Sequence, residues 1–74
     1  NPEEAGQLVQ LIQQLRDQGM SVLLVEHHMR VVMGACDRVV VLNSGEKIAE
    51  GTPTEVVSNP EVVRIYLGRE TVHA

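Results

Sequence analysis

The stretch Ser21-Val22-Leu23-Leu24-Val25-Glu26-His27-His28 decides how this chain is read. From Val22 to Val25 every side chain is apolar and both ends are β-branched, so a strand here has no polar face to turn to water. The pattern predicts a strand covered on both sides, as in a parallel sheet flanked by helices. It stops where polarity returns at Glu26-His27-His28. Open α/β sheets place ligand sites just beyond the C-terminal ends of such strands. His27 and His28 are therefore the leading candidates for chemistry, set against the plainer reading of two polar loop residues after a strand.

Upstream of this run, Ala5, Leu8, Val9, Ile12 and Leu15 fall on one face of a helix. Asn1 can cap that helix, Pro2 suits its first turn, Glu3 and Glu4 complement the positive end of its dipole, and Gly19 can supply a left-handed stop. Downstream, Met29, Val32, Met33 and Cys36 have the spacing of a short helix, weakened by Gly34. Val39-Val40-Val41-Leu42 is a second apolar run and predicts a second buried parallel strand. Asn43-Ser44-Gly45-Glu46 is a tight-turn sequence, and Lys47 to Gly51 alternates polar with apolar, so a hairpin strand follows.

Two short helices complete the order. Thr52-Pro53-Thr54-Glu55 and Asn59-Pro60-Glu61 each place a capping side chain before a proline, with a glutamate in the first turn. The second is expected to run to Gly68, and 69–74 to form a frayed tail. The fold class is α/β: a partial sheet of two buried parallel strands with helices, a hairpin strand and two short C-terminal helices.

Composition mostly excludes. The 74 residues carry six basic and ten acidic side chains, for a net charge of −4, and the basic ones are scattered. A phosphate track for nucleic acid has no electrostatic support. No run of eighteen apolar residues and no signal-peptide pattern occurs, so no direct membrane insertion is expected. The one cysteine, Cys36, forms no intrachain disulfide. With no Trp, no Phe and only Tyr66, the core rests on aliphatic side chains. Ordering costs about 1.5 kcal/mol per residue against ~25 cal/mol per Å² of apolar burial, and for a chain this short the two nearly cancel. The chain is expected to be marginal alone, and its opening Asn-Pro-Glu-Glu reads like the inside of a longer sequence.

Other chemistry is weaker. Zinc held by His27, His28, Cys36 and His73 does not match the common ligand spacings. Asp37 beside Cys36 raises a thiol pKa, so Cys36 reads as packing and not as a nucleophile. Met20, Met29 and Met33 have the spacing of core filler. There is no glycine-rich phosphate loop and no pair of carboxylates at a strand end. A complete catalytic site cannot be assembled from these residues.

Taken in order, the capped helix at Asn1-Pro2, the run Ser21 to His27, and Cys36-Asp37-Arg38-Val39-Val40-Val41-Leu42-Asn43-Ser44-Gly45 resemble the C-terminal end of an ATP-binding cassette ATPase, from the D-loop to the hairpin after the switch histidine. Ala49-Glu50-Gly51-Thr52-Pro53-Thr54-Glu55-Val56, Asn59-Pro60-Glu61-Val62 and Tyr66-Leu67-Gly68 are similar to the C-terminal extension of the ATPase subunits of branched-chain amino acid importers. The lipopolysaccharide-export ATPases are close relatives.

The resemblance implies a partial P-loop NTPase sheet, with 1–51 as the C-terminal part of the ATPase core, 52–68 as a helical extension and 69–74 as tail. It makes His27 the switch histidine, in contact with the γ-phosphate of ATP. His28 stands where many relatives have Asp. Asn1 falls at the last D-loop position, in contact with a second ATPase subunit. ATP and Mg²⁺ would be bound by the longer protein, whose phosphate loop, magnesium aspartate and catalytic glutamate would precede Asn1, so this stretch alone is not expected to be an enzyme. The implied function is ATP hydrolysis driving branched-chain amino acid uptake, with membrane permease subunits as partners and a cytoplasmic location against the inner face of the plasma membrane. The alternative from another class is a small non-enzymatic interaction module that docks through its hairpin and terminal helices.

Overall fold

The computed structural model of the protein describes residues 1–67. Gly68, the expected tail over 69–74 and His73 lie outside the described residues. The chain forms two compact units, Asn1–Cys36 and Asp37 onward.

The first unit is a pair of helices. α1 spans Pro2–Asp17. The Glu4 N–H donates to the Asn1 side-chain oxygen at 2.8 Å, which satisfies one of the amides a helix start leaves open. At the other end Gly19 takes φ +90°, its N–H reaches the Arg16 carbonyl at 2.9 Å, and the Met20 N–H reaches the Leu15 carbonyl at 3.1 Å. Those two bonds form a Schellman closure, and only a residue without a Cβ adopts that backbone freely.

α2 spans Met29–Ala35 and packs on α1, burying Val31, Val32 and Ala35 against the side that carries Ala5 and Ile12. Gly34 is explained by closeness: a Cβ there would stand 3.1 Å from a Val9 methyl, while Gln13 donates to the Gly34 carbonyl at 3.0 Å. The buried face is shifted from the expected one. Met20 and Met33 are exposed, so they do not fill a core in this chain.

Between the helices the expected strand is missing: Val22 to Val25 has no strand structure, and Leu23 and Val25 are 94% and 93% exposed. The reason is physical. A strand exists by pairing, and among the described residues no other strand lies beside this one.

The second unit is the hairpin with its helices. β1 (Val39–Asn43) pairs antiparallel with β2 (Glu46–Gly51). Ser44 and Gly45 both take positive φ, 51° and 79°, so the two-residue turn is of type I′, whose twist matches the strands. The register slips between Val41 and Leu42, leaving Ile48 as the extra residue of a bulge. The expectation of a buried parallel strand at Val39 to Leu42 is corrected here: its one neighbour among the described residues is antiparallel, and Val40 and Leu42 stay exposed.

α3 (Pro53–Val57) starts with a reciprocal capping box. The Glu55 N–H donates to Thr52 Oγ1 at 3.2 Å, and the Thr52 N–H donates to Glu55 Oε1 at 2.9 Å. α4 (Pro60–Val62) starts at Asn59, which accepts the Glu61 N–H, and continues as a π-helical turn over Val63–Leu67. Val56 and Val62, 2% and 1% exposed, are the center of this unit's core. The Tyr66 hydroxyl donates to the Leu42 carbonyl and ties the last turn to the hairpin.

Candidate functional site

Glu26-His27-His28 follows the unpaired apolar run and leads directly into α2, for which His28 takes the N-cap position with extended backbone and no side-chain cap bond. Both imidazoles are exposed. What orders this corner is Glu26. Its Oε1 accepts the backbone N–H of His27 at 2.9 Å and that of His28 at 3.1 Å. Those two amide bonds, with the imidazoles nearby, hold the Glu26 carboxyl below the usual carboxylate range, so at neutral pH it is ionised.

Within the first unit, Asn1, Glu4, Ala5 and Leu8 of the α1 start face Glu26, His27, His28 and Val31 across an open depression of about 280 Å³. The two site residues singled out in the sequence, Asn1 and His27, thus line one hollow, although they lie 26 positions apart. Asn1 is engaged locally, since its side chain caps α1.

Chemically the hollow offers one type of service. The His27 imidazole is free of burial and can donate a hydrogen bond to an anionic oxygen brought to it from solvent. The residues do not fit a magnesium site. Glu26 spends an oxygen on two backbone amides, Glu4 receives the Asn1 amide at 3.4 Å, and no three His, Cys, Asp or Glu side chains come together among the described residues. Cys36 is half-buried at the C-cap of α2, apart from the lining residues of the hollow. The role of Glu26 was missed in the sequence, where it reads only as the polar end of a strand. No signal in the sequence points to it, because the bond depends on which way the Glu26 side chain folds back.

Comparison with known proteins places these residues. The family described as branched-chain amino acid ATP-binding cassette transporter matches residues 46–72. The high-affinity branched-chain amino acid transport ATP-binding protein LivG of Salmonella typhimurium is 48% identical over 69 residues, covering 92% of this chain and 27% of LivG. The corresponding protein BraF of Pseudomonas aeruginosa is 45% identical over the same shares. The lipopolysaccharide export system ATP-binding protein LptB of Escherichia coli is 36% identical over 70 residues, 95% of this chain and 29% of LptB. No solved structure matches the chain.

The sequence is therefore similar to the ATP-binding cassette transport ATPases. Within that class it matches the C-terminal part of the branched-chain amino acid transport proteins, with the lipopolysaccharide export protein as a relative. The chain spans about 27% of the length of the importer relatives.

Proposed function

We propose that this chain is the C-terminal part of an ATPase that hydrolyses ATP to energise branched-chain amino acid uptake. His27 then contacts the γ-phosphate. Asn1 meets a second ATPase subunit, and permease subunits hold the assembly against the cytoplasmic face of the membrane. In that longer protein 1–51 completes the ATPase core, 52–68 is its helical extension, and Val22 to Val25 is a covered strand of a parallel sheet. Among the described residues no helix is long and apolar enough to cross a membrane.

The observation that carries the reading is the pairing of an exposed imidazole with an uncovered apolar run. Leu23 and Val25, more than nine-tenths exposed, have the composition of a strand built to be buried, and His27 sits two residues beyond Val25. Burying that run in a sheet puts His27 at the strand's C-terminal end, where α/β folds bind ligands. Phosphoryl transfer concentrates charge on the transferred oxygens, and a fixed imidazole donor there lowers the barrier through a contact that strengthens in the transition state.

The test is a chimera in which residues 1–74 replace the matching segment of Salmonella LivG. It is expected to restore leucine uptake to cells lacking LivG and to hydrolyse ATP. His27→Ala in the chimera is expected to lower turnover about 100- to 1,000-fold with ATP binding retained, the usual effect of losing one such donor. His28→Ala is expected to matter far less. An assembled chimera that binds ATP and turns over normally without His27 would overturn the assignment, and one that restores nothing would favour the interaction-module reading. The chain by itself is expected to bind Mg-ATP no tighter than millimolar in isothermal titration, because it has no phosphate loop.

A further inference from the structure

We infer that Glu26 is a positioning residue for His27: by accepting the main-chain N–H groups of His27 and His28 on one carboxylate oxygen, it fixes the backbone from which the imidazole projects. The inference rests on the functional reading of His27 above and adds a residue to it.

The geometry is specific. Two successive amides, at 2.9 and 3.1 Å, converge on Glu26 Oε1. His28 then starts α2, whose His28 carbonyl accepts the N–H of Val31 at 3.1 Å and of Val32 at 3.2 Å. α2 is itself held to α1 by buried Val31, Val32 and Ala35 and by the Gln13 bond to Gly34. His27 therefore hangs between a carboxylate clamp on one side and a packed helix on the other. Among the described residues Glu26 is the acceptor given to the His27 amide, so without the clamp the residue before α2 gains rotational freedom. An imidazole displaced by about 1 Å can cost up to 100-fold in rate, because a donor aimed at a developing charge works only at hydrogen-bond distance.

The role requires an acceptor oxygen and not a charge, which separates it from electrostatic and purely structural alternatives. In the LivG chimera, Glu26→Ala is expected to lower kcat about tenfold with KM for ATP unchanged, and Glu26→Gln, which keeps a carbonyl acceptor, to recover to within about threefold of the parent. Three results overturn the inference while leaving His27 in place: full kcat in Glu26→Ala when His27→Ala is inactive, a Gln variant as impaired as the Ala variant, or a loss carried in KM. Full turnover in His27→Ala overturns the functional reading itself, and the positioning role with it.

Discussion

The two units of this chain treat their apolar segments in opposite ways. In the second, Val39 to Leu42 finds a partner four residues after it ends, and the hairpin, the capping box at Thr52 and the Tyr66 tie close the unit on itself. In the first, the equally apolar Val22 to Val25 finds none, and Leu23 and Val25 face water. Both runs are four aliphatic residues; the difference is the pairing partner, which among the described residues only the second run has. A hairpin partner lies across a two-residue turn, whereas a parallel partner needs a crossover of a dozen or more residues. The comparison teaches that a self-closing segment and an open one can be told apart by perturbing each.

The largest effect on stability is expected in the closed unit, at its core. Val62 is 1% exposed beneath the hairpin, and Val62→Ala removes two buried methyl groups and leaves a cavity. A loss of about 2 kcal/mol follows. Tyr66 is the one aromatic residue of the chain, so its fluorescence reports this unit alone during urea unfolding. An unchanged midpoint would mean that the second unit does not hold its core.

Next in size is the helix start. Thr52→Ala deletes the oxygen that accepts the Glu55 N–H and is expected to cost about 1 kcal/mol in the same assay. Thr52→Ser, which keeps the oxygen, should recover most of that loss. If both variants behave alike, the capping box contributes nothing.

These local features are the ones the sequence made legible. Asn1, Gly19, Asn43 to Glu46, Thr52 and Asn59 each act within a few residues of themselves, so the residue type is the geometry. The α2 face was legible only in part, since Val31 and Ala35 are buried by what α1 presents and not by the spacing of Met29 and Met33. The missing strand at Val22 to Val25 was not legible, because a strand is a property of two segments and the sequence pattern describes one. At the candidate site, His27 and its neighbour could be picked out as polar residues after an apolar run. The double amide bond to Glu26 could not, because it depends on which way a side chain folds back.

A smaller effect is expected from acid. Glu55 is held below its ordinary value near 4.5, chiefly by the Thr52 amide and then by the Thr52 hydroxyl, and Glu50 is lowered by Lys47 and then Arg38. A depressed carboxylate stabilises the fold fully above its unfolded pKa, and that contribution fades as pH falls from about 4.5 through the folded value. Tyr66 fluorescence should therefore show the second unit weakening below pH 4.5. Glu55→Gln should flatten part of that decline, and an equally steep decline in the variant would show that the box carboxylate is not its source.

The smallest effect on stability is expected in the open segment, and its size is the point. Leu23 is 94% exposed, so Leu23→Lys removes no packing from α1 or α2. The helical circular dichroism midpoint of the chain should move by no more than about 0.5 kcal/mol, as for other surface changes. Self-association should fall nevertheless, because an uncharged, β-prone run with open backbone groups is a template for a second copy, and a lysine on it repels one. Sedimentation of the two chains compares them directly. In the LivG chimera the same lysine should be severely damaging, since a covered strand would bury its ammonium without a partner. A collapse of the helices in the chain would show that Leu23 packs within the first unit. A chimera indifferent to the lysine would show that Val22 to Val25 stays uncovered in the longer protein too, and then His27 does not stand at the end of a sheet strand.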